Sequence, residues 1–271
     1  MIGIEAGGTR TNAALFGLTG AEKACARSHN VTTFPHLGWT ERDPDAMWRA
    51  AAEAISSVLE HSGTDPADVL AVSVSGYGSG LYLLDGDGAP TRPGIVSTDG
   101  RAAAMVGQWG TDDRAATFAK LVSQFPWAGQ SAALIAWVNA HEPQVMEKTQ
   151  PVTFCKDFLR ARLCGDRSTD FTDAGSAALI DVAKGTYSED LLRLLGLEHV
   201  MDKLPDIGPS DEIAGYVSAE AAALTGLKQG TPVVRGTVDM SASAMASSVT
   251  NSNQMSMVAG TFSIASTLHD R

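Results

Sequence analysis

Cysteine is scarce: Cys25, Cys155 and Cys164 are the three in 271 residues. Their odd number and lack of metal-ligand spacing argue against a disulfide framework or a cysteine-based metal site. Structural thiols in a reducing compartment are the simplest reading. Long apolar runs are missing too. No stretch of about 18 apolar residues occurs, so no membrane span is expected. The N-terminus has no basic segment and passes directly into a strand pattern. No secretory signal and a cytoplasmic location are therefore expected. Positive charge is also in deficit, with 20 basic against 31 acidic residues and a net charge of -11. An acidic chain without a basic cluster is a poor ligand for nucleic acid or an anionic membrane. Phosphate ligands stay open, because backbone N–H groups and Mg²⁺ can hold phosphate without Lys or Arg.

What remains is an ordinary globular composition, rich in glycine, with enough chain for a substantial core. Residues 1–18 read as strand, turn and strand, with Gly7-Gly8 giving the turn access to positive φ. Residues 22–34 can supply a third strand. A helix is predicted over 44–61. Asp43 suits its N-cap, Pro44 its first position and Gly63 its stop. Met47, Trp48, Ala51, Ile55, Val58 and Leu59 recur on one helical face. Residues 69–75 and 81–85 alternate as strands, and 100–165 read mostly as helices broken at 125–130. A short helix follows at 187–196. A strand returns near 213–218, and Ser218 and Gly226 bracket a helix over 219–225. PVVRGTVDM and MSMVAGTFSIAS read as strands around a small-residue helix, 241–248. An opening meander followed by mixed strands and helices predicts an α/β fold. The domain change is placed at Gly230-Thr231-Pro232, giving segments 1–231 and 232–271.

Four constellations can carry chemistry. Glu5-Ala6-Gly7-Gly8-Thr9 joins two strands; its amides can approach an anion, and Glu5 can hold Mg²⁺. An ordinary glycine hairpin is the competing reading. Asp239 follows a strand and opens a small-residue helix, where a carboxylate can take a proton from a hydroxyl during phosphoryl transfer. Simple helix capping explains it equally well. Gly260-Thr261 offers a second turn of the phosphate-cradling kind, or another hairpin. Finally, SGYGSGLYLLD and STDGRA place Tyr77, Gly78, Ser79, Asp99 and Arg101 where they can meet a polyhydroxy ligand. A surface ion pair between Asp99 and Arg101 is the alternative.

These pieces occur in one order. The chain resembles the FGGY carbohydrate kinases through GIEAGGTRTNAALF, WTERDPDAMW, SGYGSGLYLLDGDGAPTRPGIVSTDGRA and HEPQVMEKTQPVTFCKDFLRARLCGD. TDFTDAGSAALIDV, GLKQGTPVVRGTVDMSASAM and VAGTFSIAS continue the match. It looks closest to the L-xylulose type of ketopentose kinase, with erythritol-type polyol kinases second. The resemblance implies an actin-like, ribonuclease-H-like fold. Residues 1–231 would form a sugar-binding lobe, and 232–271 the start of a nucleotide lobe most of which lies outside the chain. It implies ATP and Mg²⁺ as cofactors, a sugar or polyol as substrate, and leaves a homodimer open. Asp239 would be the catalytic base, and Gly7, Gly8, Thr9, Gly260 and Thr261 would face phosphate. Gly78, Ser79, Asp99 and Arg101 would lie near the sugar. The chain departs from the family at Glu5, usually Asp; at Asn12, commonly basic; at Gly78-Ser79, a Met-His pair in xylulose kinases; and at Met240, often Asn or Gln. A non-catalytic sugar-binding or regulatory module is the rival from another class.

Overall fold

The computed structural model describes residues 1–259 and 263–269. The chain opens on a meander of β1 (Ile2–Ala6), β2 (Arg10–Phe16) and β3 (Glu22–His29). Helix α1 (Pro44–Ser62) follows, with Asp43 accepting from the Asp45 and Ala46 amides and Gly63 closing it in the left-handed region. Its predicted apolar face is buried: Met47, Trp48, Ala51, Ile55, Val58 and Leu59 all belong to one core.

Strand β4 (Val72–Gly76) lies parallel to β1, with Ile2 opposite Val72 and Ala6 opposite Gly76. Between it and the next long strand come helices α2 (Ser131–His141), α3 (Cys155–Cys164) and α4 (Phe171–Ser176). Then follow β5 (Ile213–Tyr216), α5 (Ala219–Thr225), β6 (Pro232–Val238) and α6 (Asp239–Ala246). The last described elements are the antiparallel strands β7 (Met255–Ala259) and β8 (Ser263–Thr267).

Six strands form the central sheet in the order β5-β6-β4-β1-β2-β3. Alternate residues of β1, β2 and β4 point to one face, where α1, α3 and α5 cover them. A second core gathers Leu81, Leu83 and Ile95 with the helical segment between 103 and 200. Helix α2 is central to it: Ser131 through Val138 are all buried, so this helix is enclosed on every side.

Some expectations need correcting. Pro232–Val238 was expected to begin a second lobe, yet β6 runs parallel to β4 inside the first sheet. The 231/232 boundary would cut that sheet between two hydrogen-bonded strands, β5 and β6. Gly7 and Gly8 do not use positive φ. Gly7 is needed instead for space, since a Cβ there would stand 2.7 Å from Glu5 Oε1 and 2.9 Å from the Arg10 carbonyl oxygen. The strand expected over 81–85 shrinks to Tyr82–Leu83, and the helix expected from 241 begins at Asp239.

Candidate functional site

Register decides where the site lies. Ala6, Gly76 and Val238 are neighbours across three parallel strands. The residues that follow them, Gly7, Tyr77 and Asp239, therefore line one carboxyl edge of the sheet. Open α/β sheets bind ligands outside such edges.

Glu5 and Asp239 share this edge. Glu5 accepts a hydrogen bond from the Asn12 side-chain amide. Burial pushes its pKa up, Asn12 opposes that, and the nearby Asp239 charge adds to the rise. Asp239 is half-buried at the first turn of α6; burial raises its pKa, and the Met240 amide opposes the shift. No side chain caps α6, whose N-cap is Val238.

The turn after β1 is held from below. Arg42 is buried, and its guanidinium donates to the carbonyls of Gly7 and Gly8. Asn30 Nδ2 donates to the Gly7 oxygen at 3.1 Å. The Gly7 amide is spent on the Arg10 carbonyl at 2.9 Å. Among the described residues the Gly8 and Thr9 amides have no acceptor, and both residues are exposed. The turn thus presents two unpaired N–H groups on a fixed frame, an arrangement suited to an anion. Gly260 and Thr261 lie outside the described residues.

The loop over 77–80 is tightly built. Ser79 adopts φ 67°, uncommon for a residue with a side chain, and Gly80 follows at φ 76°. A Cβ on Gly78 would fall 2.1 Å from Ser176 Oγ, so any side chain there would have to displace the Ser176 hydroxyl. Ser79 Oγ donates to the Ser176 carbonyl at 3.0 Å, and Ser131 Oγ to the Gly80 carbonyl at 2.7 Å.

Several expected ligand contacts are turned inward. The Tyr77 hydroxyl pairs with the Tyr82 hydroxyl at 2.8 Å inside the core. Asp99 and Arg101 form no surface pair: both side chains have no exposed surface. Arg101 Nε meets Asp99 Oδ1 at 2.8 Å and Nη2 meets Glu41 Oε1 at 2.8 Å. Its guanidinium carbon sits 4.1 Å from the Trp39 ring and 5.2 Å from the Trp137 ring. Sequence reasoning gave no role to Arg42, to the buried Lys156 and Asp170, or to the half-buried Thr172. The one signal was compositional: charges inside otherwise apolar helical segments, CKDFL and TDFTD.

For a metal, no group of three or more His, Cys, Asp or Glu side chains converges among the described residues. Mg²⁺ commonly takes one or two carboxylates and fills its shell with phosphate oxygens and water. Glu5 fits that use: Oε2 is held by Asn12, and Oε1 points to the space a Cβ on Gly7 would fill. No helix of the described residues is long and apolar enough to cross a membrane.

Comparison with known proteins identifies the family and the fold. The profile described as "FGGY family of carbohydrate kinases, N-terminal domain" matches residues 1–246. The chain is 33% identical over 265 residues to a probable L-xylulose kinase of Pasteurella multocida, covering 98% of this chain and 55% of that one. It is 31% identical over 265 residues to the L-xylulose/3-keto-L-gulonate kinase of Escherichia coli, covering 98% and 53%. Among solved structures, xylulose kinase from Rhodospirillum rubrum superposes with a TM-score of 0.87 at 31% identity, over 94% of this chain and 52% of that one. Gluconate kinase from Lactobacillus acidophilus shares the fold, with a TM-score of 0.93 at 20% identity over 100% and 54%. The chain spans about half the length of the curated relatives it matches. Its fold is the actin-like fold of these sugar kinases, and the chain belongs to the FGGY family of carbohydrate kinases.

Proposed function

We propose that this chain is the sugar-side lobe of an ATP-dependent kinase acting on a hydroxyl of a ketopentose such as xylulose, or of a polyol. The observation that carries the reading is the row at the sheet edge: Glu5 and the Gly8 and Thr9 amides at the end of β1, and Asp239 at the end of β6, with β4 running parallel between the two strands. A base, an anion cradle and a second carboxylate then converge, as phosphoryl transfer requires.

In this reading Asp239 takes the proton of the substrate hydroxyl. The freed oxygen bonds to the γ-phosphorus of ATP, the bond from that phosphorus to the β–γ bridging oxygen breaks, and ADP leaves. Gly8 and Thr9 amides stabilise phosphate oxygens, with no reorganisation because Arg42 and Asn30 already fix the turn. Glu5 would hold Mg²⁺, which when bound neutralises charge on the β and γ phosphates. Burial of Asp239 suits its role, since a raised pKa strengthens a carboxylate as a base. The lobe would extend through Ala246, because β6 and α6 both belong with the sheet. Gly260 and Thr261 would be a second phosphate contact.

Asp239→Asn tests this in a form of the chain carrying the remaining length of its relatives. The shape and an acceptor survive, so sugar affinity and melting temperature are expected near wild type. The kcat is expected to fall by at least about 100-fold. A variant turning over within about threefold of wild type would show that Asp239 is not the base.

A further inference from the structure

Next to Asp239 runs a chain of buried and half-buried polar groups that the proposed chemistry does not use. Lys156 has no exposed side-chain surface, and its Nζ sits 2.8 Å from Asp170 Oδ1. Asp170 caps α4, and its Oδ2 accepts from Thr172 Oγ1 at 2.6 Å and Ser210 Oγ at 2.7 Å. Thr172 Oγ1 lies 3.0 Å from Thr237 Oγ1 and accepts the Val238 amide at 2.9 Å. A hydroxyl has one donor and two acceptor sites. Since Thr172 donates to Asp170, Thr237 must be the donor in its pair, and all three sites of Thr172 are filled.

The end of β6 needs such an anchor. Its register with β4 shifts between Val234 and Thr237. Gly236, at φ 83°, lies within this irregularity, where a Cβ would stand 2.0 Å from the Val74 carbonyl oxygen. Over this bulge the Arg235 amide turns to the Glu212 carbonyl at 2.9 Å and the Gly236 amide to the Ser210 carbonyl at 2.8 Å. The amide of Val238, the last before Asp239, goes to Thr172. Bulges beside functional sites re-aim side chains, and here a side chain takes the Val238 amide, while Val238 keeps its place opposite Gly76 of β4. The same short helix α4 receives Ser79 through the Ser176 carbonyl, so it joins the ligand-side loop to the base-bearing strand.

We propose that Thr172 is a positioning residue for Asp239. Its hydroxyl, oriented by Asp170 and Lys156, fixes the Val238 amide and with it the line along which the Asp239 carboxylate meets the substrate hydroxyl. This rests on the reading of Asp239 as the base.

Thr172→Val keeps the shape and removes the hydroxyl, whereas Thr172→Ser keeps the hydroxyl. In the form carrying the remaining length of the relatives, Thr172→Val is expected to lower kcat by about 10- to 100-fold, the scale of a misplacement near 1 Å. The sugar KM should stay within about threefold, and Thr172→Ser should keep kcat within about threefold of wild type. Placed on Asp239→Asn, Thr172→Val should add less than about threefold, because its effect passes through the carboxylate. A full multiplicative loss in the double variant overturns the proposal. So does an unchanged kcat in Thr172→Val when Asp239→Asn is crippled. An unchanged kcat in Asp239→Asn overturns the base assignment, and this inference with it. The wild-type protein gives a second measurement that needs no variant. The Val238 amide should exchange with solvent far more slowly than that of Gly8, and equal rates overturn the anchor even where Thr172→Val fails to fold.

Discussion

Asp173 is fully buried, and among the described residues neither of its carboxyl oxygens has a hydrogen-bond partner. Its nearest cation, Lys156 Nζ, stands 3.4 Å away and is held closer by Asp157 at 2.6 Å and Asp170 at 2.8 Å. Burial pushes the Asp173 pKa up to about 8; Lys156 opposes the rise, and Asp157 and Asp170 add to it. A proton on Asp173 also balances the enclosed charges, leaving Lys156 and Arg160 to face Asp157 and Asp170. In the unfolded chain an Asp titrates near about 4. Between the two values the folded state holds a proton that the unfolded state lacks, so stability falls as pH rises through that window. The contribution is complete below the unfolded value and lost above the folded one. Asp173→Asn stays neutral throughout. Relative to wild type, it is expected to melt higher at about pH 9 than at about pH 6. Parallel melting temperatures across the two conditions would mean that Asp173 is already ionised in the fold.

At the scale of elements, β6 combines a strand with a deliberate break in register. Gly236→Ala would force a methyl into the Val74 carbonyl and strain the backbone at φ 83°. A loss of at least about 1–3 kcal/mol is expected, read as a lower urea midpoint. An unchanged midpoint would show that the bulge relaxes freely. Elements like α1 and α5 are legible in sequence because their signals are local. Asp43, Pro44 and Gly63 mark α1, and Ser218 and Gly226 mark α5. The lobe to which β6 belongs is not legible in the same way. Its partners β4 and β5 are set by register, and the nearby Gly230-Thr231-Pro232 only imitates a linker. The site shows the same division. Glu5, Gly7 and Asp239 could be picked out because each sits at a strand end beside glycine or a helix start. The burial of Asp99 and Arg101 could not, since it depends on Glu41, Trp39 and Trp137, distant in sequence. Lys156 and Thr172 escaped for that reason too: their function lies in contacts across the fold, to Asp170 and Val238.

For the whole molecule, the proposed function makes the sheet edge one wall of a site. Gly8 and Thr9 are exposed there, and Asp239 is half-buried. Phosphoryl transfer depends on positioning both reactants and on excluding water, so one wall is not sufficient for turnover. The chain covers about half of each curated relative, and the reading of residues 1–246 as a sugar-side lobe assigns nucleotide binding mainly to the other half. A protein consisting of these 271 residues is therefore expected to release no ADP in a coupled assay with ATP and a panel of ketopentoses and polyols. Thermal shift should still single out the preferred sugar, because a ligand that binds only the folded state raises its melting point. The two measurements separate the alternatives. A sugar-dependent shift without turnover fits a sugar-side lobe that needs its partner lobe for chemistry. Turnover near about 1 s⁻¹, the low end for kinases, would mean that this single wall binds and activates the nucleotide unaided. In that case the Gly8 and Thr9 turn would be the main nucleotide site, and Gly7→Val, which fills the space beside Glu5 Oε1, should abolish the activity.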